Sequence, residues 1–411
     1  MHEIVIHCQC GRELRIESEK LGERERCPGC GEWVAIPSQA ELDRASDGSQ
    51  KGGTSRIHLG VDTAMGTRRF PVVTAIDDEL VAWMGECAQQ IREGVGRRIV
   101  GMPGVVEELL ITLFSGGHAL LVGVPGLAKT LMVATLSELL GLDFRRIQFT
   151  PDLMPSDITG TEVIVEDRSN DGSRSFRFMK GPIFANMILA DEINRTPPKT
   201  QAAMLEAMEE GQVTSLGRRY QLAPPFFVMA TQNPIEQEGT YPLPVTQLDR
   251  FMFEIRYDYP SRDEEYQIVR QTLSRDPEPL EPILTADDIL KAIAAVRAVT
   301  MSEELLRYSS RLVRASRPGS EESPEFIEEW VAWGAGPRAV QYTILGAKTR
   351  ALLDGRREAK VEDIRAVLIP VLRHRIQVSY HAEVDGVTSD TITSRLLEEV
   401  RSPDRRRLRV S

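Results

Sequence analysis

Cysteine is scarce in this chain: five in 411 residues, with Cys8, Cys10, Cys27 and Cys30 crowded near the N-terminus and Cys87 alone. That distribution excludes a disulfide framework spread along the chain and suits a metal site at one end. Long apolar runs are missing too. The strongest, 109–124, is broken by Ser115, Gly116, Gly117 and His118, short of the roughly 18 continuous apolar residues that a membrane helix needs. The first residues lack the basic start, apolar centre and small-residue cleavage site of a secretory signal, so no membrane span and a cytoplasmic location are expected. Positive charge is not in excess either. A formal net charge of −11 counts against a protein whose main task is gripping nucleic-acid phosphates, although it leaves room for one local basic face.

What is present is ordinary globular material, 41% hydrophobic and 27% charged, close to the averages of folded domains. At roughly 100–200 residues per domain the length implies two to four units. Residues 1–38 read as a small cysteine-bearing domain and 39–72, rich in Ser, Gly, Asp, Gln and Lys, as a flexible linker. From 73 to 260 strand-length apolar runs at 119–124, 144–149, 187–190, 226–230 and 251–255 alternate with helical segments. This is the pattern of an α/β domain with a parallel sheet and crossover helices. Two insertions read as hairpins, at 161–179 and 212–223. Residues 261–411 read as helices only, including 289–299 opened by Thr285-Ala-Asp-Asp, 338–353 and 361–373, which implies a separate helical lid domain.

The sharpest motif is Gly123-Val124-Pro125-Gly126-Leu127-Ala128-Lys129-Thr130, followed by Leu131, closing one expected strand and opening a helix. Glycines let the backbone approach phosphates, the amides of a helix start favour the anion, Lys129 reaches the terminal phosphates and Thr130 ligates Mg²⁺. Ala128 stands where the general pattern has its second glycine. About sixty residues on, an apolar strand ends in Asp191-Glu192, where strand ends of such sheets face the ligand crevice. Asp191 would hold Mg²⁺ through water and Glu192 would orient and polarise the attacking water. The next strand ends in Thr231-Gln232-Asn233-Pro234. Asn233 is either a polar group reaching the γ-phosphate or lytic water, or part of an Asn-Pro turn. Arg250, just before the last strand, is either an arginine supplied across a subunit boundary or a surface partner of Asp249. Arg195 either senses nucleotide across an interface or pairs with an acid. His118 reads as a turn histidine and Cys87 as packing.

In this order the motifs resemble the MoxR family of AAA+ ATPases over 77–397. The strings that carry the likeness are Ile99-Val100-Gly101, the 123–130 loop, 148–162, Ala190-Asp191-Glu192-Ile193-Asn194-Arg195, Ala230-Thr231-Gln232-Asn233-Pro234 and Gln247-Leu248-Asp249-Arg250-Phe251. The resemblance implies an ATP-hydrolysing, ring-forming enzyme, a hexamer with ATP at subunit interfaces. It also implies Asn233 as first sensor, Arg250 as the finger on the neighbour's nucleotide and Arg338 of the lid as second sensor. Ile99, Val100 and Gly101 would border the adenine, and the two hairpins would face the pore or a partner. Chaperone-like work in complex assembly or metalloenzyme maturation, with a client protein and a von Willebrand A domain partner, is implied by analogy. Met102, Gly336 and the pair Val245-Thr246 depart from the family's usual glutamine, serine and Glu-Ala.

Cys8-x-Cys10 and Cys27-x-x-Cys30 offer four thiolates from two knuckles, which fits a closed tetrahedral Zn²⁺ site of the zinc-ribbon kind, with an iron centre as the chemical alternative. A unit this short would draw much of its folding free energy from the metal. Two other readings remain. One is a nucleic-acid-associated regulator with the zinc ribbon as reader, against which Arg12, Arg15, Arg24 and Arg26 alternate with Glu13, Glu17, Glu23 and Glu25. The other is a metal-chelatase motor subunit.

Overall fold

Five strands assemble into one parallel sheet whose central strands are buried on both faces. The computed structural model describes 3–7, 13–17, 24–26, 33–35, 60–61 and 69–70, and 76–403 apart from 167–173, 216, 236–238 and 275–278. The chain falls into two units, Met1–Arg56 and Ile57–Ser411. The first holds two antiparallel hairpins: β1 (Glu3–His7) with β2 (Glu13–Glu17), and β3 (Arg24–Arg26) with β4 (Trp33–Ala35). Along the sequence Cys8 and Cys10 fall between the first pair of strands, and Cys27 and Cys30 between the second. All four cysteines, and the metal site expected on them, lie outside the described residues. So does most of the expected linker, save a short pairing of Gly60–Val61 with Arg69–Phe70.

In the second unit α1 (Asp78–Gly96) and α2 (Pro103–Phe114) precede β5 (Ala119–Val122), which leads through the glycine loop into α3 (Lys129–Leu139). Then come β6 (Phe144–Gln148), β7 (Met187–Asp191), α4 (Pro198–Glu210), β8 (Phe227–Gln232) and β9 (Phe253–Arg256). The sheet order is β9-β5-β8-β7-β6, every pair parallel. Side chains alternate across it. Ala119, Leu121, Leu189, Met229 and Phe253 join the core shared with α1–α3, while Leu120, Ile188, Val228 and Ala230 pack with Met204, Leu205 and Met208 of α4. Burial on both sides makes central strands read as unbroken apolar runs rather than alternating ones, and each large side chain so buried contributes about 1.5–3 kcal/mol. The hairpins form as expected, with Gly160–Glu166 against Arg174–Lys180 and Gln212–Ser215 against Arg218–Gln221.

Two residues expected to be structural are so. His118 is buried; its Nδ1 accepts from the Val228 amide (3.0 Å), which leaves Nε2 to donate to the Met208 carbonyl (3.1 Å). It ties β5 to β8 and α4. Cys87 is buried on α1, and burial pushes its thiol up to about 11.

The lid includes α5 (Ala286–Ala298), α6 (Glu303–Arg314), α7 (Pro337–Leu353), α8 (Val361–Leu372) and α9 (Ser389–Glu399); the helices-only expectation is corrected by a short antiparallel pairing of Val331–Trp333 with Gln377–Val378. Thr285 caps α5 through a reciprocal pair with Asp288. Gly336 caps α7 without a side-chain bond, so the departure from serine there forgoes a capping hydroxyl. Among the described residues no helix is long and apolar enough to cross a membrane.

Candidate active site

The glycine loop lies at the C-terminal edge of β5, an inner strand of the sheet. At Gly123 a Cβ would stand 2.7 Å from Tyr257 Cβ and 2.9 Å from its carbonyl oxygen, so only glycine lets β5 turn here. Gly126 has φ +87°. Ala128, at the glycine position of the general pattern, is also left-handed, with φ +56°. A non-glycine residue held there costs about 1–2 kcal/mol, a strain the loop bears to turn its amides inward. Lys129 Nζ donates to the Gly123 and Val124 carbonyls, the latter at 3.2 Å. Burial holds its pKa below the usual lysine value, against the opposing pull of Asp191 and Glu192. Asp191 and Glu192 thus lie near enough to Lys129 to act on its charge.

Strand register arranges the carboxylates. Asp191 pairs with Gln148 across the sheet, and Ala190 with Ala230, so Gln148, Asp191 and Thr231 end adjacent strands side by side. The Thr231 hydroxyl donates to Asp191 Oδ1 (2.6 Å) and accepts from the Glu192 amide (2.8 Å). Arg146 donates to Asp191 Oδ2 at 2.6 and 2.9 Å. Gln148 Nε2 donates to Glu192 Oε2 (2.8 Å), and Arg195 Nε lies 3.1 Å from the same oxygen. Glu192 itself has φ +57°, a conformation that costs a non-glycine residue about 1–2 kcal/mol. Arg146, Gln148 and Thr231 were not singled out from sequence, because their roles depend on inter-strand register. The available signals were that Gln148 opens the 148–162 string and that Thr231 lies in the 230–234 string. Asn233 is buried at the end of β8 with Oδ1 accepting from the Ile235 amide (3.2 Å), which leaves its NH₂ as the donor group. Gly101 has φ +73° and a Cβ there would overlap the Glu264 side chain. Met102 follows in the same left-handed region, φ +60°.

Arg250 and Arg338 are elsewhere. Arg250 precedes β9, whose Phe253 pairs with Ala119, the first residue of β5. It sits at the N-terminal edge of the sheet, separated from the loop by the length of β5, about 13 Å. Its Nη2 lies 2.6 Å from Glu209 Oε2 at the far end of α4, and Arg338 Nη2 donates to Glu209 Oε1 at 3.1 Å. Asp249, the surface partner considered for Arg250, instead takes Arg375 (2.8 Å) and approaches Arg338 (3.7 Å). Within a single chain Arg338 thus lies with Arg250 on Glu209 rather than with the loop residues. The reason is the packing of α7 against the N-terminal edge, where Tyr342 also reaches the Arg250 carbonyl.

A phosphate loop on an inner strand of a five-stranded parallel sheet, carboxylates ending another inner strand and a helical lid define an AAA ATPase. The profile described as "ATPase family associated with various cellular activities (AAA)" matches residues 118–253, and an AAA lid domain profile matches 325–396. "Chaperone MoxR1" of Mycobacterium tuberculosis is 42% identical over 309 residues, 75% of this chain and 80% of the relative. "Protein MoxR" of Methylorubrum extorquens is 30% identical over 320 residues, 73% of this chain and 90% of that one. A crystal structure of a Cytophaga hutchinsonii protein described as an ATPase superposes with TM-score 0.73 at 41% identity, covering 79% of this chain and 97% of that one. The chain belongs to the MoxR family of AAA ATPases.

Proposed function

We propose that this ATPase works as a homo-oligomeric ring, a hexamer, with each triphosphate shared between two subunits, and that turnover drives chaperone-like remodelling of a client protein. The observation that carries the shared site is the placement of Arg250 and Arg338 at the sheet edge opposite their own loop. Two arginines on one carboxylate, remote from the bound phosphates of their own chain, are suited to a neighbour's nucleotide. The client reading rests on the relative named a chaperone.

In this site the amides of 123–130 and Lys129 bind the phosphates, with Leu131 in the first turn and Val100 and Gly101 beside the base. Thr130 and Asp191 are hard oxygen donors, the kind and number that Mg²⁺ takes when phosphates and water complete its shell. Bound there, the ion would neutralise phosphate charge. Glu192 orients and polarises the attacking water, and Gln148 and Arg195 set the direction of its carboxylate. Asn233 offers its NH₂ to the γ-phosphate or the water. Arg250 and Arg338 meet charge developing on the neighbour's phosphoryl group, a contribution worth 10³-fold or more in comparable enzymes. The 1–38 unit we read as a zinc ribbon on Cys8, Cys10, Cys27 and Cys30, since each pair falls between two paired strands, as a two-knuckle thiolate site requires.

The deciding experiment is Glu192→Gln. ATP binding and assembly are expected to persist while hydrolysis falls about 10²–10⁴-fold, the usual worth of a positioned base. Turnover equal to wild type would remove Glu192 from the chemistry.

A further inference from the structure

The segment that carries Arg250 is held from the lid to an unusual degree. Arg375, just beyond α8, has a side chain only 2% exposed. Its Nη2 donates to the Asp249 carbonyl (2.8 Å) and the Phe251 carbonyl (2.6 Å), its Nη1 to the Met252 carbonyl (3.1 Å), and its Nε to Asp249 Oδ1 (2.8 Å). On either side His374 Nε2 bonds the Phe251 carbonyl (3.0 Å), and Arg373 Nη1 donates to the Glu254 carbonyl (2.6 Å). The Arg250 carbonyl takes the Tyr342 hydroxyl (3.1 Å), and the Arg375 guanidinium lies 5.1 Å from the centre of the Tyr342 ring. Lid side chains thus take the carbonyls of 249–252 and 254, more than 90 residues away in sequence. Tyr342 and Arg338 are four residues apart on α7, hence on one helix face, so the same face that offers Arg338 to Glu209 also fixes the backbone of Arg250.

A buried guanidinium is costly unless its donors are met, and a guanidinium spends rigid, fork-shaped donors that a lysine cannot copy. A core that needed only closure would use apolar side chains here. These bonds hold the backbone at Arg250 and on both sides of it. We propose that Arg375, assisted by Tyr342, is a positioning residue for the transferred arginine: it ties the Arg250 segment to the lid so that lid and Arg250 reach the neighbour's nucleotide as one piece. This rests on the shared-site reading above.

The test uses full-length protein. Arg375→Lys keeps the charge and loses the fork; kcat is expected to fall about 10–100-fold with KM for ATP unchanged, because the contact concerns the neighbour's transition state rather than this subunit's own nucleotide. Tyr342→Phe removes one hydroxyl and is expected to lower kcat about threefold to tenfold, also without a change in KM. Arg375→Lys is then mixed one-to-one with Glu192→Gln, whose Arg250 is intact. A random ring places an intact finger beside an intact Glu192 at about a quarter of its interfaces, so turnover should rise well above either variant alone. A mixture of Arg250→Ala with Glu192→Gln is the control. Recovery in the control but none with Arg375→Lys overturns the role given to Arg375. No recovery in the control overturns the shared site itself, and this proposal with it. Should Arg375→Lys fail to fold, Tyr342→Phe decides: kcat equal to wild type sinks the proposal, and a fall in kcat at constant KM sustains it.

Discussion

Replacing Arg338 with alanine separates two places in which a lid arginine can work. If Arg338 served its own chain's nucleotide, the substitution would weaken ATP binding by a single subunit. The structure argues otherwise. Arg338 lies beyond the N-terminal edge of β5, at least about 13 Å of strand from the loop. At that distance one charge acts on another with about 0.3 kcal/mol in a water-like dielectric, and physiological salt, with a screening length of about 8 Å, removes most of that. Even a multiply charged triphosphate then loses well under 1 kcal/mol, less than about a threefold change in affinity. Stability should barely move. Glu209 keeps Arg250, and the Arg338–Glu209 pair is partly exposed on both sides, 32% and 40%, where an ion pair is worth about 0–1 kcal/mol. Turnover should move a great deal, since a donor aimed at transition-state charge is worth about 3–4 kcal/mol, or 10²–10³-fold. The assay is a fluorescent-nucleotide titration of dilute, unassembled Arg338→Ala, alongside steady-state hydrolysis at assembling concentrations. Loss of nucleotide affinity beyond threefold in the isolated subunit would refute the placement of Arg338 on the neighbour's site.

Other outcomes follow from the same packing. Gly123→Ala would drive a methyl into Tyr257; overpacking of this kind costs about 1–3 kcal/mol, and a thermal melt should show it together with loss of ATP binding. Asp363, 1% exposed, accepts from both Arg350 and Arg356 (2.7 Å each) and caps α8 through the Lys360 amide. Asp363→Ala should therefore destabilise the lid by about 3 kcal/mol, the low end for breaking a buried pair, as read by urea denaturation. Glu108 is raised by burial from its usual 4.5 to about 7, Arg373 opposing and Asp390 adding to the shift. Because its folded pKa lies above the unfolded one, its contribution is fully present below about pH 4.5 and is lost as pH rises through about 7. Glu108→Gln should flatten the fall in unfolding free energy across that window, by up to about 3 kcal/mol at 1.36 kcal/mol per unit; a slope identical to wild type would show that Glu108 titrates normally.

The sheet was legible because its central strands are buried on both faces, so Met187–Ala190 and Phe227–Ala230 appear as apolar runs that no surface helix would carry. The edge strand Phe144–Gln148 was legible through its ends rather than its centre, where Arg145 and Arg146 are exposed. The last strand was placed two residues early, at Phe251. The carbonyls of Phe251 and Met252 are taken by Arg375 and His374, and this tertiary competition for backbone acceptors has no local sequence signal. The loop, Lys129 and Asp191-Glu192 were legible because phosphate chemistry needs contiguous residues. Arg146, Gln148 and Thr231 were not, since each acts through a register set by strands 40 or more residues apart. Arg338 entered only through the family resemblance, as a second sensor from the lid, and the edge of the sheet it reaches depends on how α7 packs.

One helix joins the two ends of this arrangement. Directly before α4 lie Glu192 and Arg195, paired with each other, and at its end lies Glu209, which holds Arg250 and Arg338. At 1.5 Å per residue its thirteen residues span about 20 Å, with Thr200 and Gln201 buried in its first half and Met204, Leu205 and Met208 of its second half packed against the sheet. A helix so packed does not bend to absorb a displacement at one end. If nucleotide draws Glu192 away from Arg195, the helix start is free to shift, and Glu209 must shift with it. On the shared-site reading, the occupancy of one subunit's loop then bears on how firmly Glu209 keeps the arginines meant for the next. Glu209→Gln, which weakens that hold without removing either arginine, should make turnover less dependent on the nucleotide state of the neighbouring subunit. The measurement is the Hill coefficient of hydrolysis against ATP, expected to fall toward one. A coefficient unchanged from wild type would mean that α4 carries no signal between sites.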